Sequence, residues 1–137
     1  MASRLNPYIS FNGNARQAME FYKDVFGGEL NLNTFGEFGQ QGADADKVMH
    51  AQLEAPNGFA LMASDTPEGM THNPGDTITV SLSGDDTDDL RGYWEKLAAG
   101  GKVTMPLEKQ MWGDEFGMVV DQFGVPWMVN IAGQQQG

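Results

Sequence analysis

The sequence predicts an α+β fold in which one βαβββ module is used twice, and three observations carry that reading. Two amphipathic helix patterns recur, each closed by a glycine pair. Each half ends in a strand pair joined by a tight-turn signal. Charge divides evenly, with four bases and nine acids in residues 1–68 and four bases and ten acids in residues 69–137. At 137 residues the chain fits one domain of ordinary size. We therefore expect a single domain over 1–137, with module one at about 5–65 and module two at about 77–132.

The first strand is read over Leu5 to Phe11. The helix follows at Asn14 to Phe26, where Ala15, Ala18, Met19, Tyr22 and Phe26 fall on one stripe and charged residues lie elsewhere on the wheel. Asn14 is placed to cap its start, Gln17 stands in the capping-box position, and Gly27-Gly28 supplies the stop. Three strands follow at about 29–36, 47–55 and 59–65, the last two joined by Pro56-Asn57-Gly58. In the second half a strand at 77–83 leads to a helix carrying Leu90, Tyr93, Trp94, Leu97 and Ala98. That helix lies between the acidic start Asp85-Asp86 and the stop Gly100-Gly101. Acids at a helix start complement its dipole. Strands at about 102–111, 115–121 and 125–132 complete the repeat, with Asp121-Gln122-Phe123-Gly124 as the matching turn. Asp121 is expected to cap its own turn, with ligand contact as the other reading. Module one is longer between helix stop and hairpin, and the surplus forms a loop at Gly36 to Asp46. A second loop runs from Thr66 to Asp76.

Composition narrows the function. Eight bases against nineteen acids give a net charge of −11, which repels nucleic-acid phosphates and anionic lipid headgroups. Neither nucleic acid nor membrane is an expected partner. With no cysteine, thiolate metal sites, disulfides and cysteine nucleophiles are excluded together. Residues Met1 to Pro7 lack an apolar signal core, and the uncharged tract from Gln122 onward is too short to span a bilayer. The expected location is the cytoplasm. No zinc-protease His-Glu-x-x-His, phosphate-binding Walker loop, dinucleotide glycine fingerprint or Gly-x-Ser-x-Gly elbow occurs.

Pro7-Tyr8-Ile9-Ser10-Phe11, Gly13-Asn14-Ala15, Phe21-Tyr22 and Phe26-Gly27-Gly28 open an ordered set of short motifs. Met49-His50-Ala51, Leu61 to Asp65, Trp112-Gly113, Phe116-Gly117 and Asp121 to Asn130 continue it along nearly the whole chain. Together they resemble the vicinal oxygen chelate superfamily of glyoxalases, bleomycin resistance proteins and extradiol dioxygenases, and within it the PhnB-like branch. The resemblance implies paired βαβββ modules forming a cup-shaped sheet, with helices on its convex face and a cavity on its concave face. It also implies a homodimer, because relatives close exposed edges through a partner chain. A methyltransferase label sometimes attached to PhnB-like proteins finds no support here, for want of a glycine-rich cofactor loop.

Metal-dependent members of that superfamily place one ligand near the start of the first strand of each module and a glutamate in the last strand. Carried onto this sequence, those positions fall at Pro7 or Tyr8, at a residue among Thr79 to Ser81, and at Met62 and Met128. None offers imidazole or carboxylate, and thioethers are poor ligands for hard divalent ions. His50 and Glu54 cannot substitute, since four strand residues separate them by roughly 13 Å. The expectation is that no metal and no cofactor is bound. The exception would be an atypical site around His50 that recruits His72 or Asp65 from beside the 66–76 loop.

If Met62 and Met128 face the cavity that the resemblance implies, strand alternation turns Ala60, Ser64, Pro126 and Asn130 the same way and sets Leu61, Trp127 and Val129 beneath the helices. Along Lys47 to Glu54 it turns His50 and Gln52 to the cavity and Met49, Ala51 and Leu53 to the helix. His50 is the candidate for proton transfer, because imidazole titrates at about pH 6.5. Its other reading is a histidine that hydrogen-bonds a neighbouring strand or loop. His72, beside Asn73-Pro74-Gly75, is expected in solvent. Trp112 either stacks on an entering ligand or covers the core. Met62, Met118 and Met128 offer an adaptable lining. The expected ligand-binding set is Tyr8, His50, Gln52, Met62, Trp112, Met128 and Asn130. Two function classes follow: a small-molecule-binding protein without the metal site, or a glyoxalase- or dioxygenase-like enzyme that uses His50 as acid/base or an atypical metal.

Overall fold

The computed structural model describes residues 4–39, 42, 44–67, 69–75 and 77–133. The chain divides into two compact units on either side of the Pro74–Gly75 bond. In the first unit the elements are β1 (Tyr8–Phe11), α1 (Ala15–Phe26), β2 (Glu29–Thr34), β3 (Val48–Glu54) and β4 (Ala60–Asp65). They form a four-stranded mixed sheet in the order β1-β4-β3-β2, with β1 parallel to β4 and the other pairs antiparallel. The second unit repeats this with β5 (Val80–Gly84), α2 (Thr87–Ala98), β6 (Lys102–Lys109), β7 (Glu115–Val120) and β8 (Pro126–Ile131). Its sheet order is β5-β8-β7-β6, again with one parallel pair. Each unit is thus a βαβββ module, and every element read from the sequence is present.

The first core forms where the apolar stripe of α1 meets β2, β3 and β4. Ala15, Ala18, Met19, Tyr22, Val25 and Phe26 are buried there with Ala51, Leu53, Leu61 and Ala63. Burying a large apolar side chain contributes about 1.5–3 kcal/mol, so the stripe drives helix docking. In the second unit Leu90 and Leu97 of α2 are buried along with Val119, Trp127, Val129 and Ile131. Trp94 lies so close to β7 that a Cβ at Gly117 would come within 2.8 Å of its ring and 2.8 Å of the Leu107 backbone. Only glycine allows that approach.

Three details depart from the local reading. Asn14 makes no side-chain cap to α1. The buried Asp65 carboxylate accepts instead, from the Gly13 and Ala15 amides at 2.9 Å each through Oδ1, and from the Val48 amide at 2.9 Å through Oδ2. A charged acceptor from the far end of the module outcompetes the short local side chain. In the second unit the matching position is Ile131, which pairs with Gly84 as Asp65 pairs with Phe11. The second departure is a bulge, with the β2–β3 register stepping from Asn33↔His50 to Thr34↔Val48. Val48 consequently takes the core position expected of Met49, which is only partly buried. The third is that the loop at 36–46 begins with a 3-10 turn at Gly36–Phe38. Residues 40, 41 and 43 of that loop, and 68 and 76 of the 66–76 loop, lie outside the described residues.

The expected turn role of Asp121 is realised. Its Oδ1 accepts from the Phe123 and Val125 amides at 2.8 and 3.1 Å, and its Oδ2 accepts from the indole N–H of buried Trp127 at 2.9 Å.

Candidate functional site

Register decides which side chains share the sheet face away from each helix, because residues paired across neighbouring strands point the same way. In the first unit one row reads Tyr8, Met62, Gln52, Asn31 across β1, β4, β3 and β2. The flanking pairs are Ser10↔Ser64 and Asn33↔His50. Core residues alternate with this set, as Leu61 and Ala63 are buried while Met62 and Ser64 are only partly so. The face is therefore polar and aromatic, with one thioether at its centre.

Within it the Tyr8 hydroxyl lies 3.4 Å from His50 Nδ1, and the two rings sit 5.8 Å apart. Tyr8 is half exposed. Gln52 donates its amide N–H to Glu54 Oε1 at 2.5 Å, and Glu54 receives the Arg4 guanidinium through both oxygens. The Arg4 guanidinium, followed by the Gln52 amide, holds the Glu54 carboxyl below the usual carboxylate range. Arg4 was not singled out from the sequence, and Glu54 was weighed there only as a metal ligand beside His50. Glu29, Asn31 and Asn33 were legible as the polar phase of β2, alternating with Leu30 and Leu32.

The second unit presents the matching row as Ser81, Met128, Met118, Met105 across β5, β8, β7 and β6. Beside it, Ser83 pairs with Asn130, Asn130 with Phe116, and Phe116 with Glu108. Trp112 is 59% exposed, and its ring meets Phe116 edge-on at 6.1 Å. Asn130 donates to Asp114 Oδ2 at 3.0 Å, and the Gly133 amide donates to Asp114 Oδ1 at 2.8 Å. These donors, joined by the Trp112 side chain, hold the Asp114 carboxyl below its usual range. Asp114 thus positions Asn130, a role its place beside Trp112 did not reveal.

The structure groups Tyr8, His50, Gln52 and Met62 on one face, and Met128, Asn130 and Trp112 with Phe116 in the other unit. His72 does not stand free as expected. It is partly buried and donates its Nε2–H to the Ser10 carbonyl at 3.0 Å. A triad of Ser64, His50 and Asp65 is not assembled, since Asp65 is buried against the start of α1 and engages three backbone amides. Among the described residues no group of three His, Asp or Glu side chains is placed to hold a metal ion.

A family model for the Glyoxalase/Bleomycin resistance protein/Dioxygenase superfamily matches residues 4–129. The chain belongs to this superfamily. Protein YjdN of Escherichia coli K12 is 31% identical over 144 residues, covering 96% of this chain and 97% of that protein. Protein PA1353 from Pseudomonas aeruginosa superimposes with a TM-score of 0.87 at 37% identity, covering 97% of this chain and 100% of that one. A Bacillus cereus structure described as a putative 3-demethylubiquinone-9 3-methyltransferase, PhnB protein, superimposes at 0.73 with 24% identity, covering 95% and 100%. That last likeness is one of fold.

Strand register also bears on the positions that the resemblance carries over for metal ligands. Tyr8 stands directly beside Met62, and Ser81 beside Met128. A phenol, a hydroxyl and two thioethers do not suit a hard divalent ion, which takes carboxylate, carbonyl, water or imidazole. That donor set does not fit the divalent metal that the resemblance carries over from metal-dependent members.

Proposed function

We propose that this PhnB-like chain is a binding protein that holds a small organic molecule on these sheet faces without a divalent metal. What supports the reading is the donor set itself, Tyr8 paired with Met62 and Ser81 paired with Met128, at the positions to which the resemblance carries the ligands of metal-dependent members. Each unit's face by itself suits an organic guest: Tyr8 and His50 rings, the Gln52 amide and the Met62 thioether in the first, and Trp112 and Phe116 rings, the Asn130 amide and the Met118 and Met128 thioethers in the second. The family model spans both units, which supports their acting as one domain. With a net charge of −11, organic cations are the favoured class.

The test is a thermal-shift screen of amphipathic cations, aromatics and phosphonates, since a ligand that binds only the folded state raises the melting temperature by mass action. The expected result is stabilisation by cationic aromatics, reduced in His50→Ala and Trp112→Ala chains that melt normally without ligand. Calorimetric titration with Zn²⁺, Mn²⁺, Ni²⁺ and Fe²⁺ is expected to show no stoichiometric binding. Near-stoichiometric uptake at micromolar affinity would overturn the reading. A second reading rests on the 3.4 Å approach of Tyr8 to His50: a phenol–imidazole pair able to move a proton on a bound substrate. Turnover that disappears in both Tyr8→Phe and His50→Ala would select it.

A further inference from the structure

We propose that Met105, Met118 and Met128 form a site for a soft monovalent cation, Cu(I) or its analogue Ag(I), on the second unit's sheet. The inference does not rest on the organic-ligand reading, although Met118 and Met128 belong to the lining named there. Three thioethers stand side by side on consecutive strands β6, β7 and β8, joined by direct register pairs Met105↔Met118 and Met118↔Met128. Direct partners on one face hold their Cβ atoms about 4.5–5.5 Å apart. Each outer sulfur, two bonds beyond its Cβ, therefore has to lean inward by roughly half the strand spacing to meet an ion above Met118. Methionine's three unbranched torsions permit this at little cost.

A bulge completes the row. The β6–β7 register steps from Val103↔Val119 to Met105↔Met118, and shifts again before Glu108↔Phe116. Without the first step Thr104, not Met105, would face Met118, leaving a hydroxyl where the third sulfur now stands. Bulges re-aim side chains in this way next to functional sites. In the first unit the matching positions are Met62, Gln52 and Asn31, so the triple thioether is a property of one module and does not follow from the fold. Met105 is 42% exposed and Met118 and Met128 are partly exposed, so none of the three is sealed in the core. Thioethers select soft ions and discriminate against the hard divalent ions considered above. The acidic chain raises the local concentration of any cation.

The test uses the full chain in chloride-free buffer with Ag(I) as probe, then Cu(I) under anaerobic competition with a chromogenic chelator. One Ag(I) per chain is expected at micromolar affinity or better, with Zn²⁺ unable to compete. Met→Leu exchange preserves volume and apolarity, so Met105→Leu, Met118→Leu and Met128→Leu should each weaken binding by about tenfold or more. Met70→Leu, in the loop of the other unit, should leave binding unchanged. Spectra of the unmutated chain labelled at the methionine methyls give an answer that needs no variant. Silver should move the Met105, Met118 and Met128 signals and leave buried Met19 in place. Absence of binding at micromolar silver, wild-type affinity in the three leucine variants, or shifts confined to other methionines would each overturn the proposal.

Discussion

Two carboxylates show how a residue's partners decide its work. Asp65 accepts three amide N–H bonds at a fully buried position, and Asp65→Ala leaves all three donors unpaired. Hydrogen bonds to a charged group contribute about 1.5–3 kcal/mol each in net terms, and they are not additive, so a loss of about 3–4 kcal/mol is expected from urea unfolding. The partners of Asp114 lower its proton affinity. A carboxyl whose folded pKa lies below its unfolded value contributes stability above the unfolded pKa, and loses it as pH falls through the folded one. Asn130→Leu removes the largest of the lowering influences, so NMR titration should show the Asp114 midpoint moving up toward the ordinary carboxylate value. An unchanged midpoint would mean that the Asn130 contact does not form in solution.

At the scale of elements, Gly117 is where α2, β6 and β7 press together. Gly117→Ala should lower stability by about 1–3 kcal/mol through overpacking against Leu107 and Trp94, whereas Gly113→Ala, with open space around it, meets only its own backbone strain at φ +101°. Comparing the two melting temperatures separates crowding from conformation. The elements themselves were legible because their periods, 3.6 for Ala15 to Phe26 and 2 for Ala60 to Asp65, survive in the pattern of apolar residues, and because Gly58 and Gly124 mark matching turns. The bulges at Val48 and Met105 were not legible, since a one-residue slip leaves composition untouched and shows only when the neighbouring strand is present. The start of α1 falls where it was read, with Asn14 at the N-cap, but the bond expected from the Asn14 side chain is missing for a related reason. Asn14 is a sound local cap, and no local pattern announces that a carboxylate 50 residues beyond Ala15 will take its place. Tyr8, His50, Gln52 and Met62 were legible as one face by alternation alone, whereas Arg4 and Asp114 act through contacts that no spacing rule encodes.

For the molecule as a whole, each sheet ends in edge strands, β1 and β2 in one unit and β5 and β6 in the other. Unpaired edges favour association, and we expect sedimentation equilibrium at micromolar concentration to give twice the chain mass. A monomer at that concentration would remove the homodimer from the account. The duplication has meanwhile lost its interchangeability. The first unit secures its helix with a buried anion, while the second has Ile131 at that place and relies on the exposed acids Asp88 and Asp89 in the first turn of α2. Buried charge is shielded from salt, and exposed charge is screened within about 10 Å at 0.1 M. A tandem protein made from two copies of the first unit should therefore keep its melting temperature as salt rises, whereas one made from two copies of the second should soften. A shared topology makes the halves alike, and their anchoring chemistry makes them different materials.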